Sequence, residues 1–139
     1  MKWFKNLFCK NQKAPSEIPP MPSWNKIVEM MYDKCLDAFA DEVIQVIYSQ
    51  DRTMRYVVLK SEKGLFTFQL EEIQQFDDDE WKYIFSEKDA MPAMWEPPCG
   101  YLNNSIFETK QDAIKELMSE PAYKQYFTGI IENFHDEQK

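Results

Sequence analysis

Three successive segments between residues 42 and 76 alternate apolar and polar side chains, and this period of two constrains the fold more than any other feature of the chain. They read EVIQVIYSQ, MRYVVLKS and LFTFQLEEIQQF, are rich in β-branched and aromatic residues, and predict strands. Ser49 to Thr53 can link the first pair, and Ser61 to Gly64 can turn the second with Gly64 in a left-handed conformation. An antiparallel meander is therefore predicted.

Helical periodicity flanks this meander on both sides. Before it, apolar residues at three- and four-residue steps predict a helix from Trp24 to Ala40 with Ser23 as its N-cap. After it, Thr109 and Asp112 have the spacing of a helix start. A last helix is predicted to begin near Pro121, with a buried side made by Tyr123, Tyr126, Phe127, Ile130, Ile131 and Phe134.

The segment QQFDDDEWKYIF joins the meander to the rest of the chain and has two interpretations. The alternate positions of Trp81 and Tyr83 favour a fourth strand after an acidic turn. Asp77 followed by Glu80 instead has the spacing of a capping box and favours a short helix. In either case the fold class is α+β: an N-terminal helix, an antiparallel four- to five-stranded meander sheet, and two C-terminal helices packed on one face.

The same segment contains a carboxylate-x-lysine spacing, Glu80 and Lys82, that some metal-dependent nucleases carry on a strand. With Asp51 as a further carboxylate it would form a metal-binding triple. Such short motifs arise by chance in any charged domain, so the favoured interpretation is a solvated acidic turn.

Charge argues for a basic partner. The chain has 139 residues, enough for one domain, and carries 24 acids against 16 bases, a net charge of −8. Excluding the four lysines that precede the first acid, at positions 2, 5, 10 and 13, leaves 12 bases against 24 acids, or −12. So acidic a body repels phosphate backbones, which argues against nucleic acid as a ligand and favours a basic protein.

The residues that usually carry chemistry are sparse. Cys9, Cys35 and Cys99 are widely spaced, and His135 is the only histidine. This set builds neither a metal site nor a disulfide framework, and it offers no nucleophile with a positioned base. We therefore expect no enzyme, no cofactor and no bound metal, and a cytoplasmic location.

The N-terminal residues 1–22 form a basic-aromatic tail, MKWFKNLFCK, and a proline-rich linker, with the α+β domain predicted over residues 23–139. The tail lacks the apolar run of a signal peptide, so we expect neither export nor a membrane span. Its apolar residues have helical spacing opposite lysines, which is typical of a helix resting on an anionic membrane; an unstructured or self-docking tail is the alternative. The membrane-contact residues in that case are Trp3, Phe4, Leu7 and Phe8.

The segment MPAMWEPPCGYLNN lacks periodicity and predicts an irregular loop. Loops rich in tryptophan, tyrosine and methionine often carry binding surfaces, here one of mixed apolar and acidic character. Its members would be Met91, Met94, Trp95, Glu96 and Tyr101. The alternative is that Trp95 folds inward as a lid on the sheet.

Two blocks, YVVLKSEKGLFTFQLEEIQQFDDDEWKYI and SIFETKQDAIKELMSEPAYKQYF, resemble segments of small bacterial proteins, some of which resemble immunity proteins of polymorphic toxin systems. The resemblance lies in the order of features and not in a catalytic motif. A meander ends in an acid-rich segment with a tryptophan, and SIFxT then begins a helix that ends in EPxYKxYF. It implies a binding protein that neutralises a toxin by covering its site, and it assigns no site residues.

We therefore expect a non-enzymatic, acidic protein-interaction domain, with an immunity-type neutraliser of a basic toxin as its specific form. The partner-binding residues we expect are Asp77, Asp78, Asp79, Glu80, Trp81, Trp95 and Glu96. One alternative is an accessory protein on the inner membrane face, tethered through residues 1–13. The other is a small-ligand-binding domain with an aromatic pocket between sheet and helices.

Overall fold

The computed structural model describes residues 18–87 and 89–127, together with the backbone of residues 134–136. These residues form an α+β fold, as predicted. In chain order the elements are α1 (Trp24–Met31), β1 (Glu42–Tyr48), β2 (Met54–Lys60), β3 (Phe66–Gln75), α2 (Asp78–Ile84), β4 (Ala93–Glu96), α3 (Lys110–Met118), α4 (Pro121–Tyr126) and β5 (Phe134–Asp136). None of the helices in this described part is long and apolar enough to cross a membrane.

The sheet has the strand order β4-β3-β2-β1-β5, and every neighbouring pair is antiparallel. Strands β1 to β3 are the predicted meander. Between β2 and β3 the chain turns at Gly64, whose φ of 82° lies in the left-handed region, as the sequence predicts. Its amide donates to the Ser61 carbonyl at 2.9 Å and closes the turn.

The fourth strand is not where alternation favoured it. Asp77 is the N-cap of α2: its Oδ1 accepts from the Glu80 amide at 2.8 Å, and Glu80 Oε1 accepts from the Asp77 amide at 2.8 Å. This reciprocal capping box confirms the helix interpretation of the segment. The strand that follows β3 is β4, formed instead by residues for which the sequence predicted an irregular loop, and it pairs Trp95 with Ile73.

Two helices are shorter than predicted. The first ends at Met31 rather than Ala40, because Asp33 and Cys35 adopt left-handed backbone, with φ of 60° and 63°, which no α-helix tolerates. The last ends at Tyr126, and Phe134 lies in β5 rather than on a helix. The predicted buried residues Ile130 and Ile131 lie outside the described residues.

Helices cover both faces of the sheet. The two C-terminal helices pack on one face, as predicted, while α1 packs on the other. On the first face the core consists of Ile44, Ile47, Tyr56, Val58, Phe68 and Leu70 against Ala113, Leu117, Tyr123 and Phe127. On the second it consists of Val46, Tyr48, Ile73, Ala93 and Trp95 against Ile27 and Met31.

Candidate functional site

The acidic residues predicted to bind a partner lie at the start of α2. Asp77, Asp78, Asp79 and Glu80, here called the acidic α2 surface, are all exposed to solvent. Negative charge is favoured at this end of a helix, where the free amide groups give the macrodipole its positive pole. Lys82 Nζ lies 3.6 Å from Asp79 Oδ1, but both side chains are exposed, so this pair neutralises little of the charge.

The four acids divide into two pairs with different roles. Asp77 and Glu80 hold each other's amide groups in the capping box, which explains their spacing. Asp78 and Asp79 take no part in that box. Their carboxylates therefore remain available at the surface of the helix.

The aromatic residues of α2 differ in what they expose. Trp81 is half-buried, and its Nε1 donates to the Pro19 carbonyl at 2.8 Å, so it ties the end of the predicted linker to the helix. Tyr83 is 78% exposed and is the most exposed large hydrophobic side chain of the described residues. It therefore adds an apolar ring to the side of α2 that solvent reaches.

Trp95 is not a surface residue. Its pairing in β4 turns the side chain toward α1, where it is 6% exposed and its Nε1 donates to the Met31 carbonyl at 2.9 Å. The guanidinium of Arg55 lies over the ring, 4.2 Å from its centroid. The inward-facing interpretation of Trp95 is therefore correct, and the expectation that Trp95 contacts a partner at the surface is wrong.

The structure also separates the other members of the predicted loop surface. Met91 packs on the α1 side of the sheet, whereas Tyr101 packs on the opposite face. Glu96 is half-buried and faces Glu72 across the β3–β4 ladder, at the end of β4 that is farther from α2. These side chains do not form one contact surface, and Glu96 does not extend the acidic α2 surface.

The nuclease-like triple is not assembled either. Glu80 and Lys82 lie on a helix, where residues two apart point in different directions, and not on a strand where they would share a face. Asp51 lies in the β1–β2 turn, where its Oδ1 accepts from Ser49 Oγ and from Thr53. Across residues 18–87 and 89–127, no three histidine, cysteine or acidic side chains are grouped so as to hold a metal ion.

The predicted membrane-contact residues Trp3, Phe4, Leu7 and Phe8 lie outside the described residues, so that assignment stays a prediction. Of the linker, Met21 packs against the core on the α1 side of the sheet.

Comparison of the chain with protein-family models, with curated proteins and with solved structures finds no match.

Proposed function

We propose that this protein is a non-enzymatic interaction domain that binds a basic protein through the acidic α2 surface. The observation that supports the proposal is that the four acidic residues have two different structural roles. Asp77 and Glu80 cap the helix, whereas Asp78 and Asp79 are exposed and lie outside the capping box. Asp79 is paired with Lys82 only through an exposed contact of 3.6 Å, so both carboxylates can still meet an opposite charge on another molecule.

Electrostatics and an aromatic anchor support this assignment. Beyond the four N-terminal lysines the chain carries 12 bases against 24 acids, so a basic partner is attracted before contact. Such attraction speeds encounter and disfavours acidic competitors. Tyr83, on the same helix, offers a large amphipathic ring of the kind that contributes strongly when an interface buries it.

The specific form we propose is an immunity-type neutraliser of a basic toxin. A toxin that acts on a phosphate-containing substrate presents positive charge at its site, because the substrate backbone is negative. An acidic helix laid over that site would exclude the substrate by charge and by bulk. This form is also the one that the sequence resemblance of two segments implies.

Affinity capture of the intact protein from its native lysate tests the proposal, run beside Asp78→Asn/Asp79→Asn/Glu80→Gln. Glutamine still accepts the N-cap amide, so this variant removes charge and keeps the helix start. A matched control, Glu29→Gln/Asp112→Asn/Glu116→Gln, removes an equal number of negative charges, but from exposed positions on α1 and α3. We expect one stoichiometric basic protein with the wild type and the control, and its loss with the α2 variant. Equal retention by all three, or no retention by any, would contradict the proposal.

A further inference from the structure

A cavity of about 270 Å³ opens at the end of the sheet, where the β1–β2 turn meets the start of α1 and the end of α4. Two partly exposed aromatic rings line it: Trp24 is 43% exposed and Tyr126 is 45% exposed. Two acidic residues, Asp51 and Glu72, line it as well. The amide of Gln50 donates to the Tyr126 carbonyl at 3.1 Å, which holds the turn against the end of α4.

The aromatic lining departs from the sequence pattern. Trp24 belongs to the apolar stripe that predicted the first helix, yet Ile27 and Met31 are the residues of α1 that are buried. Tyr126 was likewise expected on the buried side of the last helix. Two large aromatic residues that local periodicity assigns to the core thus line one cavity.

The carboxylate of Asp51 is fixed in place and charged. Its Oδ1 accepts from Ser49 Oγ at 3.0 Å, from the Thr53 amide at 3.0 Å and from Thr53 Oγ1 at 2.7 Å. Burial on its own would raise the pKa of Asp51, but these hydrogen bonds outweigh it and lower the pKa. The carboxylate is therefore anionic at neutral pH.

Glu72 stands directly opposite Glu96 in the β3–β4 ladder, a placement that is unfavourable for two carboxylates unless a positive charge lies beside them. Glu72 Oε2 accepts a hydrogen bond from Gln74 Nε2, but this neutral amide brings no positive charge. The cation of the adjoining turn does not supply that charge, because the guanidinium of Arg52 lies over the Tyr32 ring, 4.5 Å from its centroid. Arg52 is also not among the residues that line the cavity.

We propose that this cavity receives the guanidinium of an arginine side chain presented by a basic protein. A guanidinium stacks on aromatic faces and binds carboxylates through its planar fork, so Trp24, Tyr126, Asp51 and Glu72 together match both of its recognition modes. The inference rests on the proposed function only for the macromolecule that carries the arginine. The chemistry of the cavity itself can be tested without that partner.

The test is an NMR titration of the ¹⁵N-labelled intact chain with N-acetyl-arginine amide, and with N-acetyl-citrulline amide as its neutral isostere. We expect saturable shifts, in the millimolar range, of the Trp24 indole N–H and of the backbone amides of residues 50–54, with arginine and not with citrulline. Absence of these shifts, equal shifts with citrulline, or shifts confined to α2 would overturn the inference.

Variants separate the cavity from the acidic α2 surface. Asp51→Asn/Glu72→Gln removes both charges but leaves the Asn oxygen to accept from Ser49 and Thr53, and we expect it to bind arginine about tenfold more weakly. Trp24→Leu, which leaves the sequence of the turn unchanged, should weaken binding as well. Asp78→Asn/Asp79→Asn should bind arginine as the wild type does. Wild-type affinity in both cavity variants would overturn the inference, whatever the outcome of the lysate experiment.

Discussion

The guanidinium of Arg55 and the carboxylate of Glu71 form an ion pair inside the protein. Arg55 Nε donates to Glu71 Oε1 at 2.8 Å, Nη2 lies 2.8 Å from the same oxygen, and the two residues face each other across the β2–β3 ladder. Arg55 is fully buried and Glu71 is 5% exposed. A third nitrogen, Nη1, donates to the Lys34 carbonyl at 2.8 Å, so the pair also anchors the connection from α1 to β1.

Removing one partner of this pair should destabilise the fold strongly. Arg55→Met leaves a buried carboxylate without its cation, and Glu71→Gln leaves a buried guanidinium without its anion; each should lower the free energy of unfolding by about 3–5 kcal/mol. The double variant Arg55→Met/Glu71→Leu should be less destabilised than the sum of the single variants, because neither charge is left alone. Urea denaturation, read as a change in midpoint at constant slope, measures all three. If the loss of stability in the double variant equalled the sum of the two single losses, the two charges would not stabilise each other.

Buried tyrosines should make the protein sensitive to alkali. Burial raises the pKa of Tyr48 to about 12, despite the opposing influence of Arg55. Burial, followed by the carboxylate of Glu120, also raises the pKa of Tyr56 and of Tyr101, whose hydroxyl groups lie 2.8 Å and 3.2 Å from Glu120 Oε1.

The raised pKa values predict that the free energy of unfolding falls as the pH rises, because the folded chain then binds more protons than the unfolded chain. Above pH 10 the unfolded chain loses tyrosine protons that the folded chain keeps, so the stabilisation is complete below about pH 10 and is lost as the pH rises toward 12 for Tyr48. One such group changes the free energy of unfolding by up to about 1.4 kcal/mol per pH unit. Tyr48→Phe should therefore show a shallower alkaline loss of stability than the wild type in urea denaturation at stepped pH. Parallel curves would mean that Tyr48 ionises equally in both states.

The N-cap of α2 gives a prediction that separates structure from charge. Asp77→Ala removes the side-chain acceptor of the capping box and should cost about 0.5–2 kcal/mol, whereas Asp77→Asn keeps an acceptor and should cost only a fraction of that. Asp78→Asn removes an equal charge one residue later and should have a similarly small effect. Thermal unfolding of the three variants is the measurement. If Asp78→Asn were as destabilising as Asp77→Ala, the contribution of α2 to stability would depend on charge at its start rather than on the side-chain cap.

Local patterns predicted the elements whose cause is local. Alternation in β1 to β3 and the left-handed Gly64 depend on residues close in sequence, and each has its predicted structure. The Asp77–Glu80 capping box is also local, but it was only the alternative interpretation of its segment, because alternation there favoured a strand. The strand β4 depends instead on pairing with β3. It has only four residues, which is too short for an alternation of apolar and polar side chains to be recognised in the sequence.

The end of α1 shows why the apolar periodicity predicted a helix that is too long. The apolar stripe continues past Met31, but the Lys34 carbonyl accepts from Arg55, and its neighbours Asp33 and Cys35 take left-handed backbone. A tertiary contact with a residue 21 positions away thus accompanies the break in the helix. The same contact belongs to the buried Arg55–Glu71 pair, which sequence alone gave no reason to place in the interior.

Two aromatic residues near the predicted site should behave in opposite ways. Trp95 is buried against α1 and lies under Arg55, so Trp95→Ala should lower the free energy of unfolding by about 3–5 kcal/mol. Tyr83 is 78% exposed, so Tyr83→Ala should leave stability within about 0.5 kcal/mol of the wild type. If the acidic α2 surface binds a basic protein, Tyr83→Ala should nevertheless weaken capture of that protein from lysate. Because the variant remains folded, retention at the wild-type level would exclude Tyr83 from the interface and leave the carboxylates of Asp78 and Asp79 to account for binding.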